Sequence, residues 1–271
     1  MGTFLVYLVL TIPPLVSSQV NSGVTAVSGA VEIRSLSLLG VDVNRGLVGV
    51  KVVSTAKAYT ETDGSSVGEE RFAPTRCHYA GMNKTPFDGV MLALLHAGAD
   101  DEASWVIYEP AYDESRCTAP AVSKARLAQA KAAFAKANIT MDQKVEFAAT
   151  PDAKGQLSLK IGDRTVVVQT SKKTDDCDAE ADPAKVKASR CAEGFDRILT
   201  VTFAVDGQPF YQSWDSYTAA YAGSAELEVL GAFVSGTKVL FLQRLTTASG
   251  MQGPSSAQTT ISVSPVFDFA K

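Results

Sequence analysis

Histidine is almost missing from this chain: His78 and His96 are the two in 271 residues. Two imidazoles cannot build a three-histidine catalytic zinc centre, and no His-Glu-x-x-His pair occurs. Cysteine is scarce as well. Cys77, Cys117, Cys177 and Cys191 are its four examples, and none stands in a Cys-x-x-Cys pair, so no zinc module is expected. An excess of positive charge is absent too. The formal net charge is −4 with Lys and Arg scattered, which leaves no basic footprint for nucleic acid and no basic amphipathic helix for a membrane surface. The chain also lacks an apolar run long enough for a bilayer. Phe4 to Val16 reads FLVYLVLTIPPLV, shorter than the roughly 20 residues a spanning helix needs, and Pro13-Pro14 interrupts it.

What is present is globular in kind. Hydrophobic residues make up 46% and charged residues 20%, values that argue against disorder. The apolar N-terminus ends in small residues at Val16-Ser17-Ser18, the pattern of a secretory signal cut after Ser18. The first Lys or Arg is Arg34, so the usual positive opening of such a signal is missing. On this reading residues 1–18 are a signal peptide and 19–271 a single β-rich domain, with a subdivision near 118–140 as the alternative; a buried structural strand is the plainer reading of the same N-terminal run. The mature chain then has no transmembrane segment and is secreted or periplasmic.

An exported chain with an even cysteine count is read as oxidised. Four cysteines allow three pairings. Cys77 precedes the strand-like run at Val90 to His96 and Cys117 follows that at Trp105 to Tyr108, so a Cys77–Cys117 bridge would close that hairpin. Cys177 and Cys191 flank an insertion, and a bridge there would pin a loop of about 15 residues, worth up to about 3 kcal/mol in a chain-entropy account.

The chain is mainly β by pattern. Leu157 to Ile161 alternates, turns at Gly162-Asp163 and returns over Thr165 to Gln169. Ile198 to Val205 turns at Asp206-Gly207 and returns over Gln208 to Trp214. Asp-Gly between strand-like runs is a strong hairpin signal because both turn residues must tolerate positive φ. One segment is helical. Thr118 can cap it, Pro120 fits its first turn, Leu127, Ala130, Phe134 and Ala137 form a stripe, and Asn138 ends it. The fold class expected is antiparallel sheets, as a sandwich or a partial propeller-like set of hairpins, with one principal helix at about 119–137. A shorter helix is expected from Asp182-Pro183 to about Arg190.

Leu38-Leu39-Gly40-Val41-Asp42-Val43-Asn44-Arg45-Gly46 echoes Val229-Leu230-Gly231-Ala232-Phe233-Val234-Ser235-Gly236-Thr237. Each is a strand, a small polar turn and an apolar strand. With the leader, these two units and the late Gly250-Met251-Gln252-Gly253, the layout resembles an uncharacterised bacterial family of predicted secreted proteins. The resemblance covers about a quarter of the chain. It implies export and β structure and transfers no catalytic residue.

Several motifs invite chemistry. Gly64-Ser65-Ser66-Val67-Gly68 has the nucleophile-elbow spacing, but Glu69 to Pro74 is no apolar helix and no alternating βα pattern surrounds it; a surface loop explains it better. His96 lies among apolar residues and His78 beside Cys77. Asp175 to Asp182 is acidic, yet lacks the ordered ligands and turn glycine of a calcium loop. No metal site, cofactor or catalytic centre is expected. Asn83-Lys84-Thr85 and Asn138-Ile139-Thr140 are sequons, relevant in a eukaryotic secretory pathway.

Recognition is better served by aromatics. Tyr211, Trp214 and Tyr217, with Trp105 and Tyr108 in a second cluster, are the candidate ligand-binding residues. Exposed aromatics beside carboxylates suit stacking on sugars. Strand alternation places Phe210, Gln212 and Trp214 on one face and Tyr211 and Ser213 on the other. The leading expectation is a non-enzymatic interaction or cell-envelope protein. Its rival is a glycan-binding protein or glycan-active hydrolase using carboxylates among Glu109, Asp113 and Asp215, since glycoside hydrolysis needs paired carboxylates.

Overall fold

The computed structural model describes residues 11–20, 24–29, 31–56, 88–97, 105–108, 124–140, 145–177, 197–217, 223–249 and 256–270. Its strands form three sheets. The first sheet has the order β1-β10-β9-β8-β7, from Val16–Gln19, Gln208–Tyr217, Arg197–Val205, Arg164–Asp176 and Gln156–Ile161. The second runs β11-β12-β13-β2, from Ser224–Ser235, Lys238–Ser249, Ser256–Val263 and Val24–Gly29, with the short β14 (Phe267–Asp268) also paired to β12. The third is β3-β4-β5-β6, from Val31–Asp42, Leu47–Ala56, Asp88–His96 and Trp105–Tyr108. Neighbours are antiparallel except β1, which runs parallel to β10.

The sheets are stacked, with the second in the middle. Its strand β12 shows why. Val239, Phe241 and Leu245 join a core with Leu157, Leu159, Val201, Phe203 and Phe210 of the first sheet. Leu240 and Leu242, the alternate residues, join a different core with Val48, Val50, Val52, Ala93 and Leu95 of the third. A strand buried on both faces reads as a continuous apolar run rather than as an alternation, and Val239 to Leu242 is such a run. Of the two expected architectures, the sandwich is the one the sheets adopt, extended to a third layer.

The two marked hairpins form as the turn chemistry requires. Ile161 pairs Arg164 across Gly162-Asp163, and Val205 pairs Gln208 across Asp206-Gly207. In the second turn Asp206 has φ 51° and Gly207 φ 78°, positive at both central positions as this hairpin geometry demands.

The helix, α1 (Lys124–Lys136), lies within the expected span; Thr118 and Pro120 fall outside the described residues. It ends in a left-handed cap. Asn138 has φ 54°, the Asn138 N–H donates to Ala135 O at 2.9 Å and the Ile139 N–H to Phe134 O at 2.9 Å. Phe134 and Ile139 then pack together with Leu94 of β5, on the face of the third sheet away from the middle one. Arg45, in the β3–β4 turn, donates to the Ala137 carbonyl and so ties that turn to the helix end. The segment after the helix crosses to the middle sheet, where Ala149 bridges Ala232.

The two echoing units are both hairpins with the same irregularity. Register shifts at Leu39 in β3 and at Leu230 in β11, the residue before Gly40 in one and before Gly231 in the other. The short helix expected near Asp182 lies outside the described residues, as do Gly64 to Gly68, His78 and Asn83. Among the described residues no helix is long and apolar enough to cross a membrane.

Candidate functional site

Among the described residues, a cluster of polar side chains lies between the first and middle sheets, where β1, β10, β12 and β13 come together. A bulge in β10 creates it. Pro209 pairs Ala204 and Tyr211 pairs Phe203, which leaves Phe210 as the extra residue. Phe210 and Tyr211 therefore both turn into the core, and both are buried. Their rings join Phe203, Phe241 and Phe267, with Phe210 also edge-on to Phe269 at 5.4 Å. Simple alternation placed Phe210 with Trp214 and opposite Tyr211. The bulge corrects that: Phe210 and Tyr211 share one face, and beyond it alternation resumes from Tyr211 through Ser213.

Tyr211 ends at a hydroxyl that shares a hydrogen bond of 2.9 Å with Ser18 Oγ of β1. Burial pushes the Tyr211 phenol up, against the opposing influence of the neighbouring Ser18, Ser213 and Gln243 side chains. Two residues on, the Ser213 hydroxyl donates to Gln243 Oε1 of β12 at 2.7 Å, with both residues buried. Gln243 is 1% exposed and its Nε2 has no hydrogen-bond partner in the structure. Directly across the β12–β13 ladder is Ser262, 4% exposed, whose Oγ is likewise without one. At the outer end, Gln19 Nε2 donates to Asp215 Oδ1 at 3.1 Å. Asp215 is half-buried, and loss of solvent pushes its carboxyl above the usual aspartate range despite the Gln19 and Ser216 hydrogen bonds.

This arrangement is a network of neutral donors and acceptors around one half-buried acid. Ser213 is engaged by an amide, not by an imidazole, so nothing beside it would make it a nucleophile. His96 stands on β5 in the third sheet, opposite Leu47. Among the described residues no group of three or more His, Cys, Asp or Glu side chains is arranged to hold a metal.

The expected aromatic site is divided by this geometry. Tyr211, read as a candidate for an exposed binding face, is 1% exposed and belongs to the core. Trp214 is half-buried, and Tyr217 is half-buried against the core of the first two sheets. Trp105 and Tyr108 lie on β6, the edge strand of the third sheet, opposite Leu94 and Leu92; where their side chains go lies outside the description. Glu109 and Asp113 also fall outside the described residues. Of the cysteines, Cys177 alone is described and it carries no free thiol. Cys77, Cys117 and Cys191 fall outside the described residues, so neither expected bridge is placed. In the acidic run, Lys173 pairs Asp175 at 2.6 Å and Arg197 pairs Asp176 at 2.9 Å; Asp178 to Asp182 lie outside.

Sequence reasoning missed Ser18, Gln19, Gln243 and Ser262. Ser18 and Tyr211 are 193 residues apart, and no local pattern announces such a contact. Compared with known proteins, the chain matches no family model, no curated protein and no solved structure.

Proposed function

We propose that the chain is a non-enzymatic exported protein, secreted or periplasmic, that works through its surfaces as an interaction module or as a component of the cell envelope. One observation carries the non-enzymatic part. Among the described residues, the converging serine and amide side chains lie buried between two packed sheets, with the Ser213 hydroxyl held by the Gln243 amide and no imidazole beside it to act as a base. Export draws on the even cysteine count, on the absence of a free thiol at Cys177 and on the resemblance of the sequence layout to predicted secreted proteins. Cys77–Cys117 and Cys177–Cys191 are the bridges proposed.

Cell fractionation of the native host, with peptide mapping of the unreduced protein, tests this reading. The protein should appear outside the cytoplasm with both pairs intact. Cytoplasmic protein with reduced cysteines would defeat it.

A second reading is favoured by Asp215. A half-buried carboxyl held above its usual range, next in sequence to Trp214 and two residues from Tyr217, suits a glycan-binding protein or a glycan-active hydrolase. Glu109 and Asp113 are the further carboxylates in the sequence. Turnover of a polysaccharide that disappears in Asp215→Asn, Glu109→Gln or Asp113→Asn would establish the enzyme; retention without turnover, lost in Trp214→Ala, would establish the binding protein.

A further inference from the structure

We infer that Thr11–Val20 is a permanent part of the folded protein, so that any processing of the apolar N-terminus falls before Thr11 and not after Ser18. Small residues behind an apolar run favour a cut after Ser18 on sequence grounds. The fold gives the same residues another use.

The segment is fastened along its length. The Thr11 N–H donates to Phe269 O at 2.8 Å. Ile12 packs against the core of the first two sheets and Pro13 is buried. Val16 to Gln19 pair in parallel with Tyr211 to Trp214 and cover the open edge of β10. Ser18 meets the Tyr211 hydroxyl, Gln19 meets Asp215, and Val20 is 3% exposed within the core. Leu15, by contrast, is 54% exposed. Partial burial at Ile12 and full burial at Pro13 and Val20, with exposure at Leu15, is the profile of a structural segment, whereas a discarded leader has no reason to bury chosen residues.

Leader removal precedes folding, so the argument concerns the product. A chain beginning at Gln19 would keep one residue of β1. The edge of β10 would lose its ladder partner, and the buried Tyr211 hydroxyl would lose Ser18. A buried polar group that has given up water loses stability when a partner is removed. The apolar contact of Ile12 and Pro13 would go as well.

The inference stands apart from the export reading. Cytoplasmic protein that retains Thr11 would defeat export and leave this standing; exported protein beginning at Gln19 would do the reverse.

Two measurements on the full chain as its host makes it decide the matter. N-terminal sequencing with intact mass should find Thr11 or an earlier residue at the N-terminus; Gln19 there overturns the inference. Thermal unfolding of purified Ile12→Asp and Leu15→Asp proteins provides a second reading. Ile12→Asp should lower Tm by at least about 4 °C, on a scale of about 2–4 °C per kcal/mol for a chain of this size, while Leu15→Asp leaves it unchanged. Equal Tm values for Ile12→Asp and the parent would mean that the segment is not part of the folded molecule.

Discussion

Gly40 and Gly49 face each other directly across β3 and β4. Together they open a gap in the outer face of the third sheet. A Cβ on Gly49 would fall on the ring of Phe134, and one on Gly40 on the γ2 methyl of Ile139. The two residues that lock the end of α1 thus sit where two side chains are missing.

The first prediction follows from that gap. Gly49→Ala should destabilise the protein by about 1–3 kcal/mol, the usual cost of adding a methyl group to a closed contact. Urea unfolding followed by circular dichroism measures it. An unchanged midpoint would mean that the helix end is not seated there.

The aromatic strand supplies a second test, because its residues differ in burial. Phe210→Ala should cost about 3–5 kcal/mol, as truncation of a fully buried ring does. Trp214→Ala should cost less, since Trp214 is half-buried. If Trp214→Ala proved the costlier of the two in thermal unfolding, the placement of the bulge at Phe210 would be wrong.

Asp215 sets a pH dependence. Its carboxyl in the folded state is held above the ordinary aspartate value, so the folded protein binds a proton more readily than the unfolded chain. Its contribution to stability is therefore greatest in acid and declines as pH rises from the ordinary aspartate range through the raised one. Asp215→Asn should remove that decline. Unfolding midpoints compared between parent and variant from pH 3 upward, at intervals of about half a unit, check the sign; a parent that gained relative stability over the same interval would refute it.

Ser262 is the position where removing a polar atom should do no harm. Its buried hydroxyl has no partner, and an unsatisfied group of that kind costs about 1–3 kcal/mol. Ser262→Ala should be neutral or stabilising by chemical denaturation. A loss above about 1 kcal/mol would show that the hydroxyl is satisfied in solution.

Local chemistry made part of this fold legible. Asp206-Gly207 and Gly162-Asp163 announced their hairpins because few residues accept positive φ. Phe134 announced the buried face of α1 by its spacing from Ala130, and both are buried. The bulge at Phe210 had no such signal: an extra residue in a strand inverts the alternation after it without altering composition. Val16 to Gln19 was illegible for a related reason. One valine followed by three polar residues shows no period, and what fixes them is Tyr211 and Asp215, almost 200 positions away. The candidate site is built from such distant contacts, so the sequence revealed its aromatic members and hid its amides and serines.

The burial of β12 on both faces reaches beyond packing. Phe241 belongs to one core and Leu240 to the other, yet one stretch of backbone carries both. Neither core can open without disturbing the strand on which the other depends. The described body should therefore melt in one concerted transition, without a half-folded state in which one sandwich survives the loss of its neighbour.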